Sequence, residues 1–532
     1  MTSSADDRAA ALARAALGPA ATSTIAPAPV TLFHYAPLLL ALLVVIADAG
    51  QRSDPDLWGH VRFGQVALAS GHIVLRDTYS YSAAGHLSLN HEWLTDEVMA
   101  SAYNAFGMFG LKLWKFACVA ATIGFMALGI AETGAAASIQ LNVMAVASVA
   151  LMPQMQFRPQ LFTFMCLAAL LAILARDNFR GAAPIWLAIP LMALWANLHG
   201  GFIMGGVALG AYTGVAAMRD CRAGAGFGRA LRLAALTAGA TLATLLTPYG
   251  FGMWSAILHA LRNPVTRIAV TDWQPLTFAM ARQWHTGHLG IIYYLCVIGL
   301  AAALAIAFAR EPRGGDLPLV AIAAIMSAAA FVAMRNMPLA VIACVTPLAR
   351  HLELIARRRR TAAPPDRSAV NPWVAGVTAI ILAAYTGLFS GHIEREMAYP
   401  DGAVDFMAKH DLHGNILNDF GWGDYLIWHT APESKVFIDG RYDTVYPYAV
   451  IDRYIEFRFA LPGAEAMLKA YPHDYVLIEP DSPAFALMRR QADWTLIYRD
   501  GGSALFARSG SPAAAITPVV APLAGARVGY FP

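Results

Sequence analysis

Charged residues are scarce in this chain of 532 residues. Asp, Glu, Lys and Arg make up 14% of it and hydrophobic residues 58%, whereas charged residues form roughly 25% of an average soluble domain. The mean hydropathy is +0.50. This composition excludes a wholly soluble globular protein and is typical of one embedded in a lipid bilayer. The net charge is +3 and no basic stripe is visible, so nothing predicts a nucleic-acid partner.

Cysteine is also rare, and the last of the five is Cys344. The region that follows must therefore fold without disulfides. No Cys/His spacing matches a zinc site, and no Gly-rich phosphate loop opens a helix. No internal repeat is visible either. These absences argue against a zinc protein, a nucleotide-using enzyme and a transporter built from two related halves.

Long apolar runs fill most of the first 390 positions. Runs of about 16–22 residues are long enough to cross the hydrocarbon core as helices. We predict about eleven spans, by the same length rule, at 34–49, 111–131, 137–152, 161–175, 183–196, 201–218, 231–247, 289–308, 317–333, 336–349 and 372–390.

Arginines recur at alternate ends of these spans. Short loops rich in Lys and Arg stay cytoplasmic. A cytoplasmic N-terminus places every basic group on that side: Arg8 and Arg14; Arg176 and Arg180; Arg219, Arg222, Arg229 and Arg232; Arg310 and Arg313; Arg350 and Arg357 to Arg360. The sequence thus predicts a multi-pass protein of a bacterial inner membrane with its C-terminal domain in the periplasm.

The predicted fold class is an α-helical polytopic membrane protein with a C-terminal soluble α/β domain. Residues 1–33 form a cytoplasmic tail, and 34–390 form the transmembrane domain, with a periplasmic first loop at about 50–110 that carries interfacial helices at 57–69 and 92–105. Residues 391–510 alternate predicted helices with strands at 415–418, 436–439, 475–478, 495–498 and 504–506, which favours a partly parallel sheet. The Pro/Ala/Gly-rich residues 511–532 are predicted to be disordered.

The first outward loop begins with two carboxylates, Asp54 and Asp56, one on each side of Pro55. Such a pair can supply a general base or share a divalent ion such as Mg²⁺ or Mn²⁺. The alternative is structural, since Asp56 can cap the helix that follows. Trp58 and His60 would form a wall beside the pair.

Polar residues also occupy the other outward corners, where they are costly unless they line a cavity or pair with one another. Arginine grips phosphate oxygens well, and donors stabilise a leaving phosphate. The alternatives are snorkelling of the arginines and a tight helix turn at the histidine. The candidate substrate-binding residues are His91, Glu92, Arg158, Asn197, His199, Arg335 and Asn336.

Two motifs of the C-terminal region place polar residues after strands or at helix starts, where open α/β sheets bind ligands. Trp422-Gly423-Asp424-Tyr425 supplies Trp422 and Asp424, and Phe437-Ile438-Asp439-Gly440-Arg441 supplies Asp439 and Arg441. In the alternative interpretation, Asp439 and Arg441 form an internal ion pair that shapes the loop.

These motifs resemble the GT-C class of glycosyltransferases, which includes protein O-mannosyltransferases, the aminoarabinose transferase of lipid A and oligosaccharyltransferases. The chain is most similar to a bacterial group of GT-C-like membrane proteins that shares Asp-Pro-Asp-Leu-Trp, His-Glu-Trp-Leu and Phe-Ile-Asp-Gly-Arg, here at 54–58, 91–94 and 437–441. Trp422-Gly423-Asp424-Tyr425 is distantly similar to the Trp-Trp-Asp-Tyr-Gly element of oligosaccharyltransferases. Because its second Trp is Gly423 here, peptide-acceptor recognition does not carry over.

The resemblance implies an inverting transferase that takes a sugar from a polyprenyl-phosphate-linked donor. Asp54 or Asp56 would deprotonate an acceptor hydroxyl on a lipid, glycan or protein, and Arg158, His199, Arg335 or a metal would stabilise the leaving phosphate. Two other classes remain open. One is a non-catalytic assembly protein for envelope glycans, and the other is a lipid or glycan transporter.

Overall fold

The computed structural model describes residues 52–181, 183–224, 226–262, 271–278, 288–359, 392–520 and 529–532. The predicted spans 34–49 and 372–390 lie outside these residues, as does the predicted N-terminal tail 1–33. Within them, the chain is mostly helical up to residue 359 and mixed helix and strand from residue 392 onward.

The first helical part contains α1 to α11 in chain order. Their bounds are α1 Leu57–Ser70, α2 Trp93–Ala131, α3 Ala137–Leu151, α4 Gln160–Arg180, α5 Ala188–Leu198, α6 Phe202–Arg222, α7 Gly228–Ala243, α8 Phe251–Arg262, α9 His288–Arg310, α10 Leu317–Val332 and α11 Met337–Arg359. Among the described residues, six helical stretches are long and apolar enough to cross a membrane, and two shorter apolar helices accompany them. The protein is therefore a multi-pass membrane protein.

Each predicted span between 111 and 349 coincides with one of these helices. α2 also includes the predicted interfacial helix, because the helix continues across a kink at Gly107 (φ 59°, ψ −142°). A side chain is strained at that positive φ, so glycine allows the turn from the surface helix into the span. At Gly110 a β-carbon would lie 1.9 Å from the carbonyl oxygen of Ala102, so the two segments touch closely.

The C-terminal region contains helices α12 to α16 and most of the strands. The helices are α12 Asp401–Lys409, α13 Gly423–Thr430, α14 Tyr448–Arg458, α15 Ala464–Ala470 and α16 Pro483–Met488. The strands are β1 Arg52–Ser53, β2 Ile393–Arg395, β3 Asn415–Asn418, β4 Lys435–Val436, β5 Tyr475–Ile478, β6 Trp494–Arg499, β7 Ala504–Arg508, β8 Val519–Val520 and β9 Tyr530–Phe531.

Six of these strands form one sheet in the order β4-β3-β5-β7-β6-β8. β3 is parallel to both β4 and β5, whereas β7 is antiparallel to both β5 and β6. The prediction of a partly parallel sheet is correct. The predicted strand 436–439 is shorter than expected: the strand is Lys435–Val436, and beyond it the Asn418 side chain bonds the N–H of Phe437 and the carbonyl of Ile438.

The prediction of a disordered tail at 511–532 is wrong for the described residues of that stretch. Pro512–Ala515 form a 3-10 turn, β8 joins the large sheet, and β9 pairs with β2, which also pairs with β1. Composition misses this structure because Phe531 inserts its ring into an aromatic pocket, with its centroid 5.0 Å from that of Trp58. The three-stranded sheet β1-β2-β9 thereby ties the first loop to the C-terminal region.

Candidate functional site

A cavity of about 550 Å³ lies between residues 55–96, the ends of several apolar helices and the C-terminal region. Ten of the predicted site residues line it: Asp56, His60, His91, Glu92, Arg158, His199, Arg335, Asn336, Asp424 and Arg441. Another side of the cavity is apolar and is formed by Phe164, Ile203, Met204, Ile257 and Leu339. The same cavity is thus lined by charged and polar residues as well as by apolar ones.

Five predicted site residues do not line the cavity, and two of them are aromatic. Trp58 and Trp422 are buried in the core, and Trp58 packs against Tyr399 and Phe531 instead of forming a wall beside Asp56. The Trp422 indole N–H donates to the carbonyl of Ala398.

Asn197, Asp54 and Asp439 also lie outside the lining, and each holds a neighbour in place. The Asn197 amide donates to the carbonyls of Ala193 and Leu246 and accepts from the Trp93 indole, so it joins helix ends. Asp54 and Asp439 each bind an arginine that does line the cavity.

Strand β1 delivers Asp54 into a fully buried position beside Arg158. One carboxylate oxygen accepts the backbone N–H of Asp56 at 2.9 Å, and the other accepts from Nε of Arg158. Nη1 of Arg158 donates to Asp272 at 2.5 Å. Burial disfavours the guanidinium charge, but the two carboxylates outweigh it and raise the pKa of Arg158 well above its usual value. Asp54 and Arg158 therefore neutralise one another within an Asp–Arg–Asp bridge.

Asp56 points the other way, into the cavity. It precedes α1, yet its side chain makes no capping hydrogen bond, so the capping alternative is not supported. Burial raises the pKa of Asp56 to about 7, and the nearby Asp54 carboxylate adds to the increase. A carboxylate with such a pKa can accept a proton near neutral pH.

His60 is one helical turn beyond Asp56 and is held by Asp96. Nδ1 of His60 lies 2.7 Å from Asp96 Oδ1, and the Asn90 amide donates to the other oxygen of Asp96. Burial opposes the charge on the imidazole, but Asp96 raises the pKa of His60 to about 10. His60 is thus a cation near Asp56 at neutral pH.

His199 is a neutral donor rather than a cation, and its surroundings determine which nitrogen carries the proton. Its Nδ1 accepts the backbone N–H of Gly201 at 2.9 Å. The proton of the neutral ring must then be on Nε2, which faces Glu92 Oε1 at 3.3 Å. Burial lowers the pKa of His199 to about 3.

Glu92 is the anionic partner in this pair. Burial alone would raise its pKa, but positive charge on His91, His60 and Arg335 lowers it to about 2. A fixed carboxylate at this point favours hydroxyl or cationic groups of a ligand and repels phosphate.

Arg335 and Arg441 are the other cavity cations. Arg335 lies over the Trp273 ring, 4.4 Å from its centroid, in the turn just before α11. Arg441 donates to both oxygens of Asp439 and pairs with Asp77 at 2.7 Å. The ion-pair alternative for the second C-terminal motif is therefore correct, although Arg441 still borders the cavity.

Asp424 approaches Asp56 from the C-terminal region. It is 4% exposed and lies in the first turn of α13, which packs on α1 at Gly59, while Gly423 lies against Ile438 and Asp439. The approach is so close that a β-carbon on Gly59 would lie 2.6 Å from Asp424 Oδ1.

Sequence reasoning missed several residues that hold this site together, above all Asp96, Asp272, Thr163 and Gly440. Thr163 lies 2.8 Å from His199 Nδ1 and accepts from the Trp195 indole. Asp96 and Asp272 are visible as acids in outward segments, which is the one available signal. Gly440 lies within the motif at 437–441, but neither its role nor that of Thr163 is visible in the sequence, because both roles come from contacts with residues distant along the chain.

The side chains around Asp54 and Asp56 determine whether this predicted pair can hold a metal ion. Within the part of the chain that the structure describes, no group of three or more His, Cys, Asp or Glu side chains is arranged to hold a metal ion. Asp54 faces a guanidinium, which disfavours a second cation at the same oxygens. The two aspartates therefore do not fit a resident ion shared between them.

The fold agrees with that of known membrane glycosyltransferases. No family model matches the chain, and no curated protein does. The archaeal oligosaccharyltransferase AglB from Archaeoglobus fulgidus, solved with an inhibitory peptide and a dolichol-phosphate, superposes with a TM-score of 0.55 at 13% identity, covering 84% of this chain and 69% of that one. This chain therefore has a GT-C-like fold.

Two further solved structures match with TM-scores below 0.5. The arabinofuranosyltransferase AftD from Mycobacteria gives 0.49 at 14% identity and covers 90% of this chain and 42% of that one. ArnT from Cupriavidus metallidurans gives 0.37 at 14% identity and covers 88% and 96%.

Proposed function

We propose that this protein is a membrane glycosyltransferase that moves a sugar from a polyprenyl-phosphate-type donor to an acceptor at the outer face of a bacterial inner membrane. The observation that carries the proposal is Asp56, a carboxylate with a pKa of about 7 at the polar end of a half-apolar cavity. The GT-C-like fold supports it, since the AglB structure holds a dolichol-phosphate.

Asp56, rather than Asp54, is the proposed general base. Asp54 is held by Arg158 and by the Asp56 backbone, so each of its two oxygens already accepts a hydrogen bond. Asp56 would take the proton of the acceptor hydroxyl while the hydroxyl oxygen attacks the anomeric carbon. The bond from that carbon to the phosphate oxygen breaks, and its electron pair leaves with the lipid phosphate, which inverts the anomeric centre.

Arg335 is the proposed partner of the leaving phosphate. It borders the cavity in the short turn just before α11, which we predict to be the outer end of that span. Arg158 and Arg441 are less suited to an added anion, because each is already neutralised by two carboxylates. A planar guanidinium can contact two phosphate oxygens at once. The anionic Glu92 would repel phosphate and suits the sugar hydroxyls instead.

The apolar wall is the proposed path of the prenyl chain. Ile203, Met204 and Ile257 lie on α6 and α8 beside the same cavity as Arg335. A lipid tail along this wall would leave its phosphate at the polar end.

The test is mass spectrometry of the lipid and surface-glycan fractions from a deletion strain that carries wild type or Asp56→Asn. We expect one sugar to be lost on deletion and restored by wild type alone, with equal membrane levels of both proteins. Asn keeps the size of the side chain but cannot accept the acceptor proton. Full restoration by Asp56→Asn would instead support a non-catalytic assembly protein, and an accumulated lipid-linked glycan on the inner leaflet would support a transporter.

A further inference from the structure

Asp56 and Asp424 face each other across Gly440. A β-carbon placed on Gly440 would lie 2.4 Å from Oδ1 of Asp56 and 2.5 Å from Oδ2 of Asp424. The two oxygens are therefore within about 5 Å of each other, a range in which like charges shift one another's protonation strongly. One carboxyl comes from the first loop and the other from the C-terminal region.

The Asp424 carboxyl otherwise has few hydrogen-bond partners among the described residues. It is 4% exposed, and its Oδ1 is buried without a hydrogen-bond partner among the described residues. A buried charged carboxylate with an unpaired oxygen is costly, and a protonated carboxyl is far less so. Asp424 also borders the cavity, so it faces the same chamber as Asp56.

The surrounding charges do not supply a separate counter-ion for each carboxyl. Arg158 is shared by Asp54 and Asp272, and Arg441 by Asp439 and Asp77, while His60 is paired with Asp96. The charged groups that face the pair from the first loop, the outward helix ends and the C-terminal region are Asp54, His60, Glu92, Arg158, Asp439 and Arg441. These six groups carry three negative and three positive charges, so no spare positive charge offsets the pair when both of its carboxyls are ionised.

We propose that Asp424 and Asp56 form one carboxyl pair that holds a single proton, and that Asp424 is the positioning residue that keeps the Asp56 carboxylate in a reactive form. Asp424 carries the proton and presents its hydroxyl toward Asp56, whose other oxygen stays open to the cavity. In keeping with this, burial raises the pKa of Asp424 well above its usual value, and the Asp439 and Asp56 carboxylates add to the increase.

The catalytic consequence rests on the proposed function, because it assigns Asp56 as base. When Asp56 takes the acceptor proton, the pair gains a second proton and becomes neutral. The negative charge has then passed to the leaving phosphate, so no two carboxylate charges ever stand side by side. A single aspartate in this place would lack that compensation.

The test is a pH titration of carboxyl protonation by infrared difference spectroscopy on the full-length protein in lipid nanodiscs, with a chelator and no substrate. In wild type we expect two separated steps from the pair, the upper one above neutral pH. Asp424→Asn and Asp56→Asn should each leave a single step below the upper step of wild type, because removal of one carboxyl removes the like charge that holds the last proton on the pair. Asp411→Asn, at an exposed acid of the same region, should leave both steps in place.

Independent carboxyls would give a different result. The two single-variant titrations would then add up to the wild-type curve, and the proposal would be overturned. Loss of the upper step when Mg²⁺ replaces the chelator would also overturn it, since a divalent ion and not a proton would then occupy the pair. Each Asn variant tests the coupling alone, so one misfolded variant leaves the other decisive. Because no substrate is present, the result does not depend on sugar transfer.

Discussion

Asp56 differs from an exposed aspartate mainly in the pH range over which its carboxyl is protonated. Its burial, and next the charge of Asp54, raise its pKa to about 7. A general base works only when deprotonated, so the rate should fall by roughly tenfold for each pH unit below that pKa and level off above it. The check is the initial rate of sugar incorporation by membranes at constant ionic strength. A rate that is flat, or that falls as pH rises through neutrality, would exclude Asp56 as the base.

Gly440 controls the distance between two segments of the site, and alanine there tests that spacing. Its added methyl carbon would lie 2.4 Å from Asp56 Oδ1, a contact that requires one carboxyl to move. We expect Gly440→Ala to abolish complementation of the deletion strain at normal protein levels. Gly206→Ala in α6 is the matched control, since a β-carbon there meets no atom within 4 Å. Equal activity of both variants would show that the Asp56 position tolerates a shift.

Residue chemistry alone predicted many members of the site, because polar groups at outward helix ends are informative in a membrane protein. Glu92, Arg158 and His199 fall in this class. Neither the charge nor the tautomer of His199 was predictable, since burial keeps the ring neutral and the tautomer depends on Gly201 and on a hydroxyl from a neighbouring helix. An aromatic residue such as Trp58 can line a cavity or pack in a core, and the sequence does not distinguish these two positions.

At the scale of elements, the short strand β9 helps to hold the start of the first loop in place. β9 pairs with β2, and β2 pairs with β1, whose end carries Asp54. Phe531 is 1% exposed between Trp58, Tyr103 and Trp428. We expect Phe531→Ala to lower the free energy of unfolding by about 3 kcal/mol through the cavity it leaves. It should also reduce sugar transfer, because β1 loses its support.

Tyr530→Ala is the control for this strand, because its side chain is 53% exposed and leaves no internal cavity. Thermal unfolding of the purified proteins, followed by intrinsic fluorescence in one detergent, compares the two. A Phe531→Ala protein as stable as Tyr530→Ala would mean that the three-stranded sheet does not hold the first loop.

The elements that sequence predicted well are those with a strong local signal. Long apolar runs gave the helices between 111 and 349, and short apolar runs gave β3 and β5. The prediction for residues 511–532 was wrong for a physical reason. The composition of this segment is that of a flexible chain, but its order comes from an aromatic pocket built by residues more than one hundred positions away, such as Tyr399 and Trp58. The order of the six strands in the large sheet was likewise not predictable from local sequence patterns.

At the scale of the whole molecule, the orientation in the membrane determines which substrates can reach the cavity. The arginine distribution predicts that the cavity and the C-terminal region face the periplasm and that α6 ends in the cytoplasm. Ser509 is exposed on the C-terminal region, and Cys221 is the exposed native cysteine near the end of α6. Ser509→Cys in a Cys221→Ser background should react with an impermeant thiol reagent in intact spheroplasts. Wild-type Cys221 should react only after lysis. The reverse pattern would place the cavity on the cytoplasmic side, where nucleotide-linked sugars are available, and a lipid-phosphate donor would no longer be required.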